Sequence, residues 1–160
     1  MPDAPLSSPQ AYEVYLYGIG ERYPSIQRST LVYIPSGALF GRAEGMLFFE
    51  GGVVLCVQEY LNFELGVIEG YGYEVSRART PQDISDAAEY CRASYPHKEK
   101  LYWYDSFPHP NDPTLASTDP HHKHVPPDIK HHRVPARDLS FVRPNLPFLI
   151  DEIERDILGK

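Results

Sequence analysis

Met46-Leu47-Phe48-Phe49-Glu50-Gly51-Gly52-Val53-Val54-Leu55-Cys56-Val57 is a pair of apolar runs around two glycines. Both central residues of a primed two-residue turn need positive φ, so Gly51-Gly52 between such runs reads as a β-hairpin. An antiparallel pair is thereby set at the centre of the chain. Upstream, Thr30-Leu31-Val32-Tyr33-Ile34 is β-branched and aromatic, Pro35-Ser36-Gly37 breaks it, and residues 38–49 resume an extended pattern. Downstream, Leu65 to Val75 alternates Val67, Glu69, Tyr71, Tyr73 and Val75 with Ile68, Gly70, Gly72 and Glu74. Leu101-Tyr102-Trp103-Tyr104 is a short aromatic strand running into Asp105. The runs predict a twisted antiparallel meander of about five or six strands from Thr30 to Tyr104.

Helical signals flank this sheet. Ser8 before Pro9 is an N-cap followed by proline at the first helical position, with Tyr12, Tyr15, Leu16 and Ile19 on one face as far as about Tyr17. Thr80-Pro81-Gln82-Asp83 repeats that start inside the sheet region. Ile84, Ala87, Ala88 and Cys91 then carry an inserted helix to about Ala93. Asn145 caps a closing helix, residues 145–158, whose apolar face is Leu146, Leu149, Ile150, Ile153 and Ile157. Nine of the 16 prolines fall between Asp105 and Pro147, which predicts a long, helix-free Pro/His-rich loop over residues 105–144. Phe107, Leu115, Val125, Ile129 and Val134 give that loop apolar points with which to dock, and its expected place is over one end of the sheet. The fold class is α+β, with N-terminal, inserted and C-terminal helices.

At 160 residues the length suits one domain, residues 1–160, with 1–8 flexible. Met1-Pro2-Asp3-Ala4-Pro5 lacks the apolar run of a signal peptide. The longest apolar stretch, Val53 to Val57, is far too short to span a bilayer. The expectation is a cytoplasmic protein without a membrane role. Cys56 and Cys91 read as free thiols in a reducing compartment, buried as small hydrophobes.

Net charge is −7, which disfavours general nucleic-acid binding. Its distribution is uneven. Residues 97–137 hold six Lys+Arg against five Asp+Glu, or +1, and the remainder nine against 17, or −8. Five of the seven histidines lie between His121 and His132, downstream of Tyr104-Asp105-Ser106-Phe107-Pro108-His109. Clustered imidazoles with lysines and an aspartate suit acid/base work, metal ligation or phosphate binding. Residues at i and i+1 of an extended segment point to opposite sides, so His122 and His124 can share a face that His121 and Lys123 cannot. His131-His132 reads as solvent-exposed or structural, and Asp105 at a strand end also fits an Asx turn. Neither a P-loop nor a G-x-S-x-G is present.

Leu101-Tyr102-Trp103-Tyr104-Asp105-Ser106-Phe107-Pro108-His109, followed by Thr118-Asp119-Pro120-His121-His122-Lys123-His124, resembles the signature of the TumE-like toxins. In that family a strand ends in a Y-D-N-x-P-H motif, and P-H-H-K-H follows a proline-rich gap. The resemblance covers roughly residues 30 to 157, and the two short motifs carry its specificity. Ser106 stands where the family usually has Asn, Pro110 follows His109 where a second histidine is common, and the inserted helix is an addition to the sheet. The resemblance implies a toxin paired with a cognate antitoxin and acting on the host's own machinery, RNA being the natural substrate.

The residues are compatible with a metal-independent ribonuclease without cofactor. Its catalytic group would be Asp105, His109, His121, His122, Lys123 and His124, with Tyr102, Tyr104, Lys130 and Arg133 binding substrate. Two alternatives stand beside it. One is a non-enzymatic binding protein or an inactive relative, motivated by Ser106 and Pro110. The other is a His/Asp metal-binding protein, since His122-x-His124 with His109 or Asp105 offers nitrogen and oxygen ligands.

Overall fold

The computed structural model describes residues 4–92 and 95–160. Its elements are helices α1 (Pro9–Tyr17) and α2 (Ile19–Arg22); strands β1 (Arg28–Ser29), β2 (Val32–Pro35), β3 (Phe40–Phe48), β4 (Val53–Asn62) and β5 (Val67–Ala78); helix α3 (Ala87–Tyr90); strands β6 (Lys98–Asp105), β7 (His122–His124) and β8 (Arg133–Pro135); and helix α4 (Leu146–Asp156). The eight strands form one antiparallel sheet in the order β1-β3-β4-β5-β6-β7-β8, with β2 also on the edge of β3. The chain is therefore an α+β meander, two or three strands wider than the alternation alone indicates. The extra strands are the short ones, β1, β7 and β8.

The central hairpin sits at Gly51-Gly52, but its loop has three residues. Phe48 faces Val54 across the sheet, and the Phe49 N–H bonds the Val53 carbonyl at 2.8 Å, leaving residues 50–52 as the turn. Gly51 and Gly52 have φ of 72° and 77°, values that a β-carbon disfavours. Gly45 is another demanding position. Its φ is 140°, and a β-carbon there would lie 2.5 Å from the Thr30 carbonyl oxygen, where the edge passes from β1 to β2.

Period-2 alternation splits the sheet into two apolar faces. On the first, Ala43, Leu47, Leu55, Val57, Tyr73, Val75, Tyr102 and Tyr104 pack against Tyr12, Tyr15 and Leu16 of α1 and Leu149, Ile150 and Ile153 of α4. Each fully buried Leu or Ile contributes roughly 1.5–3 kcal/mol through removal from water. Ser8 caps α1 as its sequence predicts, accepting from the Ala11 N–H at 3.0 Å. Asn145 does not cap α4 with its side chain. It accepts from the Ser140 N–H at 2.9 Å and donates to the Ser140 carbonyl and Tyr73 Oη, so it ties the preceding turn to the sheet.

The second face is covered only in part. Met46, Phe48, Val54, Cys56 and Ala78 pack under Ile84 and Tyr90 of the 79–92 segment. That segment is not the continuous helix expected from Asp83 to Ala93, the last of which lies outside the described residues. A 3₁₀ turn at Pro81–Asp83 ends at Ile84, and Asp86 restarts one turn by accepting from the Ala88 N–H at 2.9 Å. Thr80 contributes no side-chain cap. Cys56 and Cys91 form a disulfide, with their α-carbons 5.8 Å apart. The free-thiol expectation is thus corrected. Cys56 points to the second face, and packing of α3 on that face carries Cys91 to bridging distance.

The Pro/His-rich region does not fold over one end of the sheet. It adds β7 and β8 to the β6 edge and encloses a 3₁₀ turn at Pro113–Leu115, with Leu115 fully buried. Among the described residues no helix is long and apolar enough to cross a membrane.

Candidate functional site

The antiparallel register of β6 and β7 assembles the site. Tyr102 and Tyr104 point into the first core, so Trp103 and Asp105 must emerge on the second face. Asp105 pairs with His122, Tyr104 with Lys123, and Trp103 with His124. β8 then sets Arg133 opposite His124. Asp105, His122, His124, Trp103 and Arg133 consequently share the second face, in the half that α3 leaves uncovered.

His122 and His124 are 1% and 6% exposed. His122 Nε2 lies 2.9 Å from Asp105 Oδ1, His124 Nε2 lies 3.3 Å from Asp105 Oδ2, and the two Nε2 atoms are 3.1 Å apart. On the other side of each ring, Nδ1 lies 2.9 Å from a backbone carbonyl, of Pro120 for His122 and of Ile129 for His124. A carbonyl only accepts, so each Nδ1 carries the proton, and in the neutral imidazole Nε2 is left as a lone pair. Two such lone pairs and a carboxylate meet inside one small space.

Asp105 is itself held from two sides, by the Phe107 N–H at 2.9 Å and the Trp103 indole N–H at 3.3 Å. The Phe107 contact is the Asx turn that its strand-end position suggests. Burial pushes the Asp105 carboxyl up, but the two imidazoles and the Phe107 N–H outweigh it and hold it well below the usual carboxylate range. Burial pulls His122 down, whereas Asp105 and the Pro120 carbonyl raise it above the ordinary imidazole value. The Trp103 ring stacks on His124 at 4.3 Å between centroids and holds it in place.

His109 forms the rim. Its ring meets His122 edge-on at 4.7 Å, and burial followed by the charges of Arg133 and His122 lowers its pKa. His109, Asp112 and Arg133 line a recess of about 390 Å³. Arg133 Nη1 stands 4.0 Å from Asp112 Oδ2, while its buried Nε has no hydrogen-bond partner among the described residues. A second recess, about 320 Å³, runs along the same face from Cys56 and Cys91 past Glu74 and Lys100 to Trp103 and Asp105.

Of the residues read from sequence, Asp105, His109, His122, His124 and Arg133 are brought together. His121 is not among them, because its Nδ1 pairs with Tyr71 Oη and its ring packs on Phe141 at 4.5 Å. Lys123 lies on the first face, 3.2 Å from Glu152 Oε2 and over the rings of Tyr102 and Tyr104. Those tyrosines are buried, with Tyr104 Oη donating to Glu152 at 2.7 Å, and offer no free ring surface to a base. Lys130 is exposed in the connection from β7 to β8. His131 pairs with Asp128 at the surface, and His132 Nδ1 lies 3.1 Å from the Pro126 carbonyl. Trp103 and Lys100 complete the face although neither had been singled out. For Trp103 the signal was the alternation itself, since the residue between two core tyrosines shares a side with Asp105.

A family model described as toxin TumE matches residues 21–157. No curated protein matches the chain, and no solved structure does.

Proposed function

The chain belongs to the TumE toxin family, and from that premise we propose that it is the toxin of a toxin–antitoxin pair whose reactive centre, Asp105, His122 and His124, cleaves RNA. The observation that carries the reading is the convergence of His122 Nε2, His124 Nε2 and the Asp105 carboxylate within 3.3 Å, with Asp105 the partly exposed member of the three. Three lone-pair groups at that spacing hold together around a positive charge, a proton or a cation. A phosphodiester is the substrate that such a charge serves best.

In the reaction, the ribose 2′-oxygen attacks phosphorus as its proton passes to a base, and the bond from phosphorus to O5′ breaks. The products are a 2′,3′-cyclic phosphate and a 5′-hydroxyl. His109 stands at the rim as the proton acceptor, and the Arg133 guanidinium, on the same recess, answers the charge on the non-bridging oxygens. The proton shared by His122, His124 and Asp105 passes to the departing O5′ and completes the 5′-hydroxyl. The recess past Trp103 and Lys100 gives the flanking nucleotide a partly aromatic, cationic wall. A cognate antitoxin would act by covering this face.

Induced expression in a bacterial host, with total RNA run on a gel, tests the proposal. Wild type should arrest growth and fragment RNA, and His122→Ala plus His124→Ala should do neither at equal folded yield. Arrest without fragmentation would move the target away from RNA. Gradual loss of arrest across many surface substitutions would indicate a binder instead.

A further inference from the structure

We infer that Asp105, His122 and His124 form a binding site for one divalent transition-metal ion of the zinc class. For its role in cleavage the inference rests on the reactive centre proposed above; for binding it stands on geometry alone.

The first ground is the direction of the lone pairs. Both Nδ1 protons are committed to the Pro120 and Ile129 carbonyls, so both Nε2 atoms present lone pairs to each other and to an ionised carboxylate. With both rings neutral that arrangement is repulsive, so it needs a positive charge at its centre, and an ion there makes each contact attractive. The second ground is spacing. Bonds of about 2.0–2.2 Å to a tetrahedral ion put neighbouring ligand atoms about 3.3–3.6 Å apart, so a bound ion would spread these three by a few tenths of an ångström. The three separations are 2.9, 3.1 and 3.3 Å, and the ligand atoms of all three residues lie within 4.8 Å of one another.

The third ground is the surrounding shell. Metal-bound imidazoles characteristically donate their other N–H to a carbonyl or carboxylate, and ligating carboxylates are hydrogen-bonded in turn. Here both rings do the first, and Asp105 is held by the Phe107 amide and the Trp103 indole. Two imidazoles with one carboxylate suit zinc, cobalt or ferrous iron and disfavour magnesium or calcium, which prefer all-oxygen sets. Three protein ligands would also leave a position open for a substrate oxygen. An ion there would take a phosphate oxygen, replacing the shared proton of a metal-free mechanism.

The test uses the purified full chain, stripped with a chelator and titrated with Zn²⁺ by calorimetry, with Co²⁺ as a spectroscopic probe. One equivalent of Zn²⁺ should bind and raise the melting temperature. Co²⁺ should give the visible d–d bands of a four- or five-coordinate nitrogen/oxygen site. His124→Gln and Asp105→Asn should each weaken binding by at least about tenfold, whereas His131→Ala plus His132→Ala should not. Absence of one-to-one binding by the folded wild type overturns the inference. So does binding that survives both ligand substitutions, while RNA cleavage at full rate by metal-free protein overturns the ion's role in cleavage. Stoichiometric binding without RNA cleavage leaves the site standing and removes the ribonuclease reading.

Discussion

Lys123 shows how much one position of register decides. It lies between two histidines of the motif, yet strand geometry turns it to the opposite side of the sheet, where its amine meets Glu152 and the faces of Tyr102 and Tyr104. Lys123→Met should therefore leave activity within about twofold of wild type. It should also lower stability by roughly 1–2 kcal/mol, because the nearly buried Glu152 loses its cation while partial exposure of the pair limits the loss. Denaturant unfolding beside an activity assay separates the two effects. Glu59 is a second residue whose chemistry is set by its surroundings. It is 1% exposed and accepts from Tyr12 and Tyr73; burial pushes its carboxyl up, and the two phenols only partly offset that. With a folded-state pKa above the unfolded value of about 4.3, the folded chain binds more protons there. Its contribution to stability is thus greatest in acid and falls as pH rises through the folded pKa. Glu59→Gln should flatten that part of the stability profile, which denaturant melts at a series of pH values would show.

Among the elements, the long strands were legible and the short ones were not. β3, β4 and β5 run for 9, 10 and 12 residues, long enough for a period of two to declare itself. β7 and β8 have three residues each, rich in His and Pro, and only pairing with the β6 edge makes them strands. The sequence predicted that His122 and His124 share a side, and the alternation supplies that directly. Their meeting with Asp105 depends on the antiparallel register, which no local pattern carries. The disulfide was illegible for the same reason: Cys56 and Cys91 are 35 residues apart, and a sheet face is what brings them together. Closing a loop of that length restricts the unfolded chain by roughly 4 kcal/mol in the chain-entropy model. Cys91→Ser, or reduction, should lower stability by about 2–4 kcal/mol. The loss should first show as faster hydrogen exchange in residues 79–92, with the α1 and α4 face still protected.

Across the whole molecule, the sheet is covered unequally. Helices α1 and α4 seal one face over most of its width, while the 79–92 segment seals the other only around Met46, Phe48 and Val54. Open sheet remains around Trp103 and Asp105. That half carries the histidines, Arg133 and Lys100, on a chain whose charge elsewhere sums to −8. The acidic remainder repels polyanions, so the proposed RNA would meet the least repulsion on this face. The amphipathic pattern of α4 and the hairpin at Gly51-Gly52 specify the sealed side from sequence. The open side follows from the shortness of α3, four residues that, among the described residues, leave the Trp103 and Asp105 end of β6 without a helix over it.

The measurement that bears most directly on the reactive centre is single-turnover cleavage of a defined RNA by purified protein, with the product ends mapped. Wild type should leave 2′,3′-cyclic phosphate and 5′-hydroxyl termini, and His122→Ala plus His124→Ala should reduce the rate by at least about a hundredfold in protein that circular dichroism shows still folded at the assay temperature. Equal cleavage by the double variant would contradict the account and place the chemistry elsewhere on the molecule.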